Sequence, residues 1–224
     1  MALEERLMSL PHNRRSFIST VASLAGLAVA RASADQQPRE QPAAASGGFD
    51  LAWLDQMTGK HKQLYDLGGL ALAVEPRPLR FARNFLDTFR EVFRLEYPDI
   101  NTAVGISGPA FPMNASDRLW AKYKLGERSK IIDPMTKQPA VRNVFYEDGG
   151  DISVKAIQTR GAVFWQCNVA LGLVAQQLAA ALQMPIAEVR ADLVAGLNPG
   201  VRLMPSHVMA LALAQEYGFT YMKP

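Results

Sequence analysis

Short β-rich runs alternate with helical stretches along the last third of the chain. Residues 162–166 form an uncharged β-rich run, and residues 169–182 then carry leucines at helical spacing. The same alternation continues through residues 201–204, 208–217 and 219–222. Strands that alternate with helices pair in parallel and are covered by helices on both faces. The sequence therefore predicts a three-layer αβα sandwich, flavodoxin-like, with a mainly parallel sheet of roughly five strands.

The preceding part of the chain continues this pattern. Residues 60–66 and 101–106 are predicted strands, the second nearly uncharged, as expected of a strand buried on both faces. Residues 79–95 between them are predicted to form an amphipathic helix. Its apolar face is predicted to hold Phe81, Phe85, Leu86, Phe89, Val92 and Phe93. Residues 126–161, which are punctuated by prolines and by Gly149-Gly150, are predicted to be an insertion that lies over the fold.

Near the start of the chain, Arg14 and Arg15 precede a charge-free and mildly apolar stretch, residues 16–30. This pattern is the address recognised by the bacterial twin-arginine exporter. As a helix the stretch is about 22 Å long, short of the ~30 Å hydrocarbon core of a membrane. An Ala-Ser-Ala cleavage site follows at residues 32–34. The sequence therefore predicts a twin-arginine signal peptide over residues 1–34 and a periplasmic protein, which contacts the membrane only if the signal stays uncut.

Residues 35–58 connect the predicted signal to the predicted domain. Residues 35–48 are rich in Gln, Pro, Ala and Gly, a composition that predicts a disordered tether. Residues 50–57 are predicted to add a short lead-in helical turn. The domain itself is assigned to residues 59–224, which are enough for one sizeable core.

The charge balance argues against a nucleic-acid partner. The chain has 24 Lys+Arg and 21 Asp+Glu, and after the signal these counts fall to 20 and 19. No basic tract follows residue 34. Nucleic-acid binding therefore has no electrostatic support in this sequence.

The chain has a single cysteine, Cys167. In an oxidising compartment a lone thiol cannot form a disulfide within the chain. Cys167 follows a predicted strand and begins a predicted helix, where unpaired N–H groups and the helix dipole stabilise a thiolate. Two interpretations stay open: a reactive thiol, or a buried cysteine that packs as a small apolar residue.

Other polar residues follow predicted strands at the same edge of the sheet, where ligands bind in open α/β folds. His207 is either a base or proton donor near the thiol, or a solvated first-turn residue. Asn168 either caps its helix or binds a ligand, and Ser206 is a predicted helix cap at the ligand-binding edge. Ser107 and Gly108 are predicted to offer backbone donors to an anion.

We expect neither a metal nor a cofactor. The chain has three histidines and one cysteine, without a Cys pair or an HExxH motif. A GxGxxG motif and a phosphate-binding P-loop are also missing from the sequence. A flavin-binding protein of this fold would purify yellow, and we expect this protein to be colourless.

An ordered set of motifs resembles the DsrE/DsrF-like family. It consists of a strand, cysteine and helix over residues 164–171, a strand, Pro and small residue over residues 201–206, and a Gly-Phe-Thr-Tyr-Met-Lys-Pro ending. The likeness extends over residues 59–224, is weakest at residues 130–158, and is nearest to a signal-bearing subgroup. It implies a flavodoxin-like sandwich that assembles into trimers or hexamers. Some members relay sulfur on the cysteine that Cys167 matches, and many have no known activity.

Two classes of function therefore stay open. In the first, the protein is an exported sulfur carrier or thiol-handling protein that acts through Cys167, with a thiol or sulfur-donor protein as its partner. At most it would then be a sulfurtransferase-like carrier. In the second, it is a non-catalytic module that binds a small ligand or forms an oligomeric scaffold, and its cysteine is structural.

Overall fold

The computed structural model describes residues 48–224. The predicted signal peptide with Arg14 and Arg15, and nearly all of the predicted tether, lie outside the described residues. The strands are β1 (His61–Asp66), β2 (Ile100–Ile106), β3 (Val163–Cys167), β4 (Val201–Met204) and β5 (Thr220–Met222). The helices are α1 (Trp53–Gln56), α2 (Arg80–Phe93), α3 (Asp117–Tyr123), α4 (Leu125–Arg128), α5 (Val154–Thr159), α6 (Asn168–Leu182), α7 (Ile186–Ala195) and α8 (His207–Glu216), with 3₁₀ turns at Gly108–Asn114 and Gly150–Ile152.

The five strands form an all-parallel sheet in the order β4-β3-β2-β1-β5. Helices cover both faces of this sheet, so the predicted three-layer αβα sandwich with a parallel five-stranded sheet is confirmed. In the described part of the chain, no helix combines the length and apolar character needed to cross a membrane.

Side chains alternate between the two faces along each strand. On one face Val104 and Phe164 pack with α2, α6 and α7 in a large apolar cluster. On the other face Leu64 and Trp165 pack with α1 and α8, and Trp53 of α1 is fully buried there. The lead-in residues before β1 thus contribute to the packing of this second face.

The order of the strands creates a switch point at the carboxyl edge of the sheet. Successive steps from β1 to β4 run in one direction, so right-handed crossovers place their helices on one face. The last step runs back across the sheet to β5 and places α8 on the other face. The chain therefore leaves the neighbouring strands β3 and β4 toward opposite faces, at the position where ligands bind in such sheets.

The segment predicted to be an insertion, residues 126–161, is part of the core. It belongs to the crossover from β2 to β3, and its residues Ile131, Phe145 and Ile157 are buried in the larger apolar cluster. The amide of Asn143 donates to the carbonyls of Pro112, Met113 and Ala115 at 2.7–3.3 Å. A buried polar side chain thus holds this irregular segment against the fold, and the expectation of an overlying insertion was wrong.

The apolar face of α2 is shorter than its sequence pattern predicts. Leu86 is buried, and Phe85 and Phe89 are partly buried against the core. Val92 and Phe93, at the end of the helix, are 64 % and 61 % exposed. The predicted helix is present, but its last turn carries apolar side chains on the surface.

Candidate functional site

Cys167 stands at the junction of β3 and α6. It is the N-cap of α6, with extended backbone angles of φ −68° and ψ 120°, and its Sγ accepts the N–H of Ala170 at 3.3 Å. A cap with this geometry pairs one of the N–H groups that a helix leaves unsatisfied. Asn168 was a predicted cap, but it is the first residue inside the helix, so that prediction was wrong.

A second helix also points its first turn at the same sulfur. The main-chain N–H of His207, the first residue of α8, donates to Cys167 Sγ at 3.2 Å. Ser206 is the N-cap of α8, as predicted, and its hydroxyl accepts the N–H of Met209 at 3.2 Å. The sulfur thus accepts N–H groups from two helices that cover opposite faces of the sheet. The N-termini of both helices carry partial positive charge.

The thiol is buried as well as hydrogen-bonded. Cys167 is 4 % exposed, and it pairs in the sheet with Met204 at the end of β4. An apolar environment alone would not supply two N–H donors to the sulfur. The buried sulfur is therefore paired with two main-chain N–H groups, those of Ala170 and His207.

The imidazole of His207 is held away from this sulfur by two other side chains. Its Nδ1 lies 3.3 Å from the indole nitrogen of Trp165, and its Nε2 lies 2.7 Å from Oδ1 of Asp66. Because an indole N–H can only donate, Nδ1 is the acceptor and Nε2 carries the hydrogen that is donated to Asp66. Both ring nitrogens are thus engaged. His207 contacts Cys167 through its main chain and not through the ring that a base would use.

Asp66 is the buried centre of this network. Its carboxylate accepts the Gly68 N–H at 2.7 Å and the Tyr221 hydroxyl at 2.6 Å, in addition to the His207 ring. Burial raises the pKa of Asp66, but the hydrogen bonds from Tyr221, His207 and Gly68 outweigh it and leave the pKa below its usual value. The pKa of Tyr221 is raised to about 12, mainly because its hydroxyl donates to the Asp66 carboxylate.

Two glycines make room for the His207 ring. A Cβ at Gly105 would lie 2.5 Å from Cζ2 of Trp165 and 2.9 Å from Cε1 of His207. A Cβ at Gly68 would lie 2.5 Å from Nε2 of His207. The His207 ring therefore packs directly against the main chain at Gly68 and Gly105, where a side chain would clash with it.

Three residues of this network were not predicted from the sequence: Asp66, Trp165 and Tyr221. The sequence contains one indication for Asp66: it is a charged residue at the carboxyl end of a predicted strand, the edge where ligands bind. Tyr221 comes from β5, and its ring hydroxyl meets Asp66 only because β5 pairs with β1. The contact joins residues that are far apart in the sequence, so spacing could not reveal it.

The remaining predicted residues do not converge on the sulfur. Gly108 lines a cavity of about 600 Å³ beside α6. Asn168 lines a different cavity of about 460 Å³, where its side chain accepts from Arg190 at 2.6 Å. Ser107 uses its carbonyl to accept the Ala110 N–H at 3.3 Å. Of the predicted residues, the structure brings together Cys167, Ser206 and the main chain of His207.

Within residues 48–224, no group of three or more His, Cys, Asp or Glu side chains is arranged to hold a metal ion. Comparisons with protein-family models, with curated proteins and with solved structures found no match.

Proposed function

We propose that this protein is an exported, DsrE/DsrF-like thiol-handling protein in which Cys167 accepts a sulfur atom and passes it on. One observation carries the proposal: the N–H groups of Ala170 and His207 both donate to Cys167 Sγ. They do so at the switch point of the sheet, where open α/β folds bind their ligands. The order of motifs that resembles the family supports the same conclusion.

The chemistry needs a thiolate and a donor of sulfane sulfur. The Cys167 thiolate attacks the terminal sulfur of a polysulfide, and the S–S bond of the donor breaks. The bonding electron pair leaves with the shortened polysulfide, and Cys167 becomes a persulfide. The sulfane sulfur keeps its oxidation state, so the step needs no further oxidant. A second thiolate then removes that sulfur and returns Cys167 to its starting form.

Burial sets a condition on this reaction. Because Cys167 is 4 % exposed, the first turn of α6 or of α8 must move for a donor to reach the sulfur. Each of these first turns begins at an N-cap whose side chain accepts a main-chain N–H: Cys167 for α6 and Ser206 for α8. The alternative is a module in which the same two hydrogen bonds serve only to join the two helices. It requires no such movement, and the two possibilities therefore differ in the accessibility of the thiol.

We also propose that the mature protein works in the periplasm as a homo-oligomer, a trimer or hexamer as the family resemblance implies, and that it exchanges sulfur with another thiol protein. The twin arginine at residues 14–15 supports export. The exposed side chains of Val92 and Phe93 support assembly, because apolar surface of this kind is often covered by a partner. Light scattering of the purified protein measures the subunit number.

The test is the intact mass of the purified mature protein after incubation with sodium polysulfide. We expect a gain of about 32 Da, one sulfur atom, that disappears on treatment with dithiothreitol. Cys167→Ser keeps a capping side chain and cannot form a persulfide, so it is the matched control. If the wild-type mass does not change under native conditions but does change after unfolding, the thiol is structural and the alternative holds.

A further inference from the structure

A cavity at the carboxyl edge of the sheet borders the Cys167 site through Ala170, whose N–H donates to the Cys167 sulfur, but Cys167 itself does not line it. It has a volume of about 600 Å³ and lies between residues 71–73 after β1, residues 108–112 after β2, and α6. Small-molecule sites in proteins are typically about 300–1,000 Å³ in volume. Its helix, α6, packs on the face of the sheet opposite to Trp165 and α8. The cavity is thus separate from the network around Asp66 and His207.

Most of the wall of this cavity is hydrocarbon. The largest apolar side chains that line it are Leu72, Phe111, Leu125, Leu173, Val174 and Leu178. Leu72, Phe111 and Leu125 are buried in the core, whereas Leu173 on the surface of α6 is more than half exposed. The cavity therefore has a fixed apolar floor and one accessible wall, which suits the apolar body of a small molecule.

Three polar side chains, Arg128, Ser129 and Gln177, complete the lining. The Nε of Arg128 donates to the carbonyl of Tyr123 at 2.9 Å, which fixes the start of the guanidinium. Among residues 48–224, no carboxylate lies within ion-pair distance of Arg128. Its terminal nitrogens can therefore receive an acid group in the fork geometry that arginine offers to carboxylates.

The backbone of the cavity is poorly suited to phosphate. Phosphate sites use several free main-chain N–H groups, commonly from a glycine-rich loop before a helix. Here Pro109 and Pro112 have no N–H, and the N–H of Ala110 already donates to the Ser107 carbonyl. An acid group in this cavity would be bound by side chains, above all by Arg128.

We infer that this cavity binds a small molecule with an apolar body and a single carboxylate, of the class of medium-chain fatty acids. The chain of the ligand lies against Leu72, Phe111 and Leu178, and its carboxylate pairs with Arg128. The Cys167 thiol makes no contact with the acid, so binding does not depend on the function proposed for Cys167.

Calorimetric titration of the full chain with sodium decanoate, decanol and decylamine tests this inference. We expect the affinity order decanoate, then decanol, then decylamine. Arg128→Gln should weaken decanoate binding about tenfold and change decanol binding little, because only the charged hydrogen bond is lost. Leu173→Trp should weaken both, because the indole fills the accessible wall of the cavity.

Three controls keep this test independent of folding and of Cys167. Arg90→Gln removes a partly exposed arginine that does not line the cavity, and it should leave decanoate binding unchanged. Cys167→Ser should also bind decanoate as the wild type does. The third control is the affinity order of the three ligands for the wild type, which does not depend on whether any variant folds. Equal binding of decanoate and decylamine, or no binding of either, would overturn the inference.

Discussion

His207 joins Cys167 to Asp66. Its main-chain N–H donates to the Cys167 sulfur at 3.2 Å, and its ring Nε2 lies 2.7 Å from the Asp66 carboxylate. One residue thus connects a buried carboxylate at the end of β1 with the sulfur at the end of β3. The ring contact fixes the first turn of α8, and that turn supplies one of the two donors to the sulfur. Asp66 is in this sense a positioning residue for the candidate site.

The capping role of Cys167 can be separated from its chemistry by substitution. Cys167→Ala removes the acceptor for two N–H groups and should lower the free energy of unfolding by about 1 kcal/mol, as the loss of a helix cap does. Cys167→Ser keeps an oxygen cap and should lose less. Urea denaturation at pH 7 measures both. Equal stability of the two variants would show that the hydrogen bonds to the sulfur do not contribute to stability.

Asp66 makes the free energy of unfolding depend on pH in the acidic range. Its pKa in the folded protein lies below the ordinary value of 3.8, so the ionised carboxylate stabilises the fold above that pH. This contribution is lost as the pH falls below 3.8 and through the folded-state pKa. At pH 7 Asp66→Asn should therefore lower the free energy of unfolding by about 2 kcal/mol, within the range for hydrogen bonds to a charged group.

Denaturation of wild type and Asp66→Asn as a function of pH checks this dependence. The difference between them should shrink as the pH falls below 3.8, because a protonated aspartate resembles asparagine. Asp55→Asn is the matched control, since Asp55 also accepts a tyrosine hydroxyl, from Tyr217 at 2.9 Å, but on the surface. It should change stability by less than about 0.5 kcal/mol. If the difference in unfolding free energy between wild type and Asp66→Asn does not change with pH, the Asp66 carboxylate is not ionised in the hydrogen-bonded form described above.

The structure assigns one tautomer to His207. Because Trp165 donates to Nδ1, the neutral ring carries its hydrogen on Nε2. Two-bond ¹H–¹⁵N spectra at pH 7.5 should show a protonated Nε2 and an unprotonated Nδ1. Trp165→Phe removes the donor and should let the other tautomer appear. His61 lies outside this network, with its ring against Phe89, and serves as the internal reference. A hydrogen on Nδ1 in the wild type would contradict the network.

The architecture could be predicted because the local signals agree along the chain. The buried strands β2 and β3 contain no charged residue, and helical segments separate the strands along the chain, so the parallel sheet follows from the sequence pattern. The start of α6 was predicted one residue late because asparagine is a common cap and cysteine is not. The exposed end of α2 was missed for a different reason. Spacing shows which face of a helix is apolar, but it does not show where the neighbouring sheet ends.

The candidate site was predictable only in part. Strand ends and helix starts placed Cys167 and Ser206 at one edge of the sheet. Asp66 and His207 are 141 positions apart in sequence, and they meet only because α8 packs across β1 and β2. The turns and prolines of residues 126–161 predict an insertion, and they give no sign that the buried amide of Asn143 holds this segment to the core. A residue such as Asn143, whose amide binds three carbonyls, has no periodic signature.

The glycine beneath the His207 ring gives a steric test of this packing. In Gly105→Ala the new methyl group would lie 2.5 Å from the Trp165 ring, so the variant should lose about 1–3 kcal/mol of stability. Gly172→Ala is the control, because it lies within α6 with space for a methyl group and alanine favours helix. That variant should be at least as stable as the wild type. If Gly105→Ala melts at the wild-type temperature, the rings are not packed as described.

We propose that export depends on the arginine pair near the start of the chain, Arg14 and Arg15. Replacing both Arg14 and Arg15 by lysine should leave the precursor in the cytoplasm of a host that has the exporter. Lysine keeps the charge, but the receptor recognises the arginine pair and not charge alone. Fractionation and intact mass measure this, and the exported wild type should have lost residues 1–34. Arg6→Lys lies outside the pair and should be exported normally. Export of the double variant would show that Arg14 and Arg15 are not part of a twin-arginine signal.

We propose that Cys167 carries a transferable sulfur. The thiocyanate released by cyanide from folded protein, after incubation with polysulfide and desalting, measures this sulfur. We predict one thiocyanate per chain from the wild type and from Arg90→Gln, and none from Cys167→Ser. If the wild type releases no thiocyanate and Cys167 is alkylated only after unfolding, Cys167 carries no transferable sulfur and serves as a helix cap.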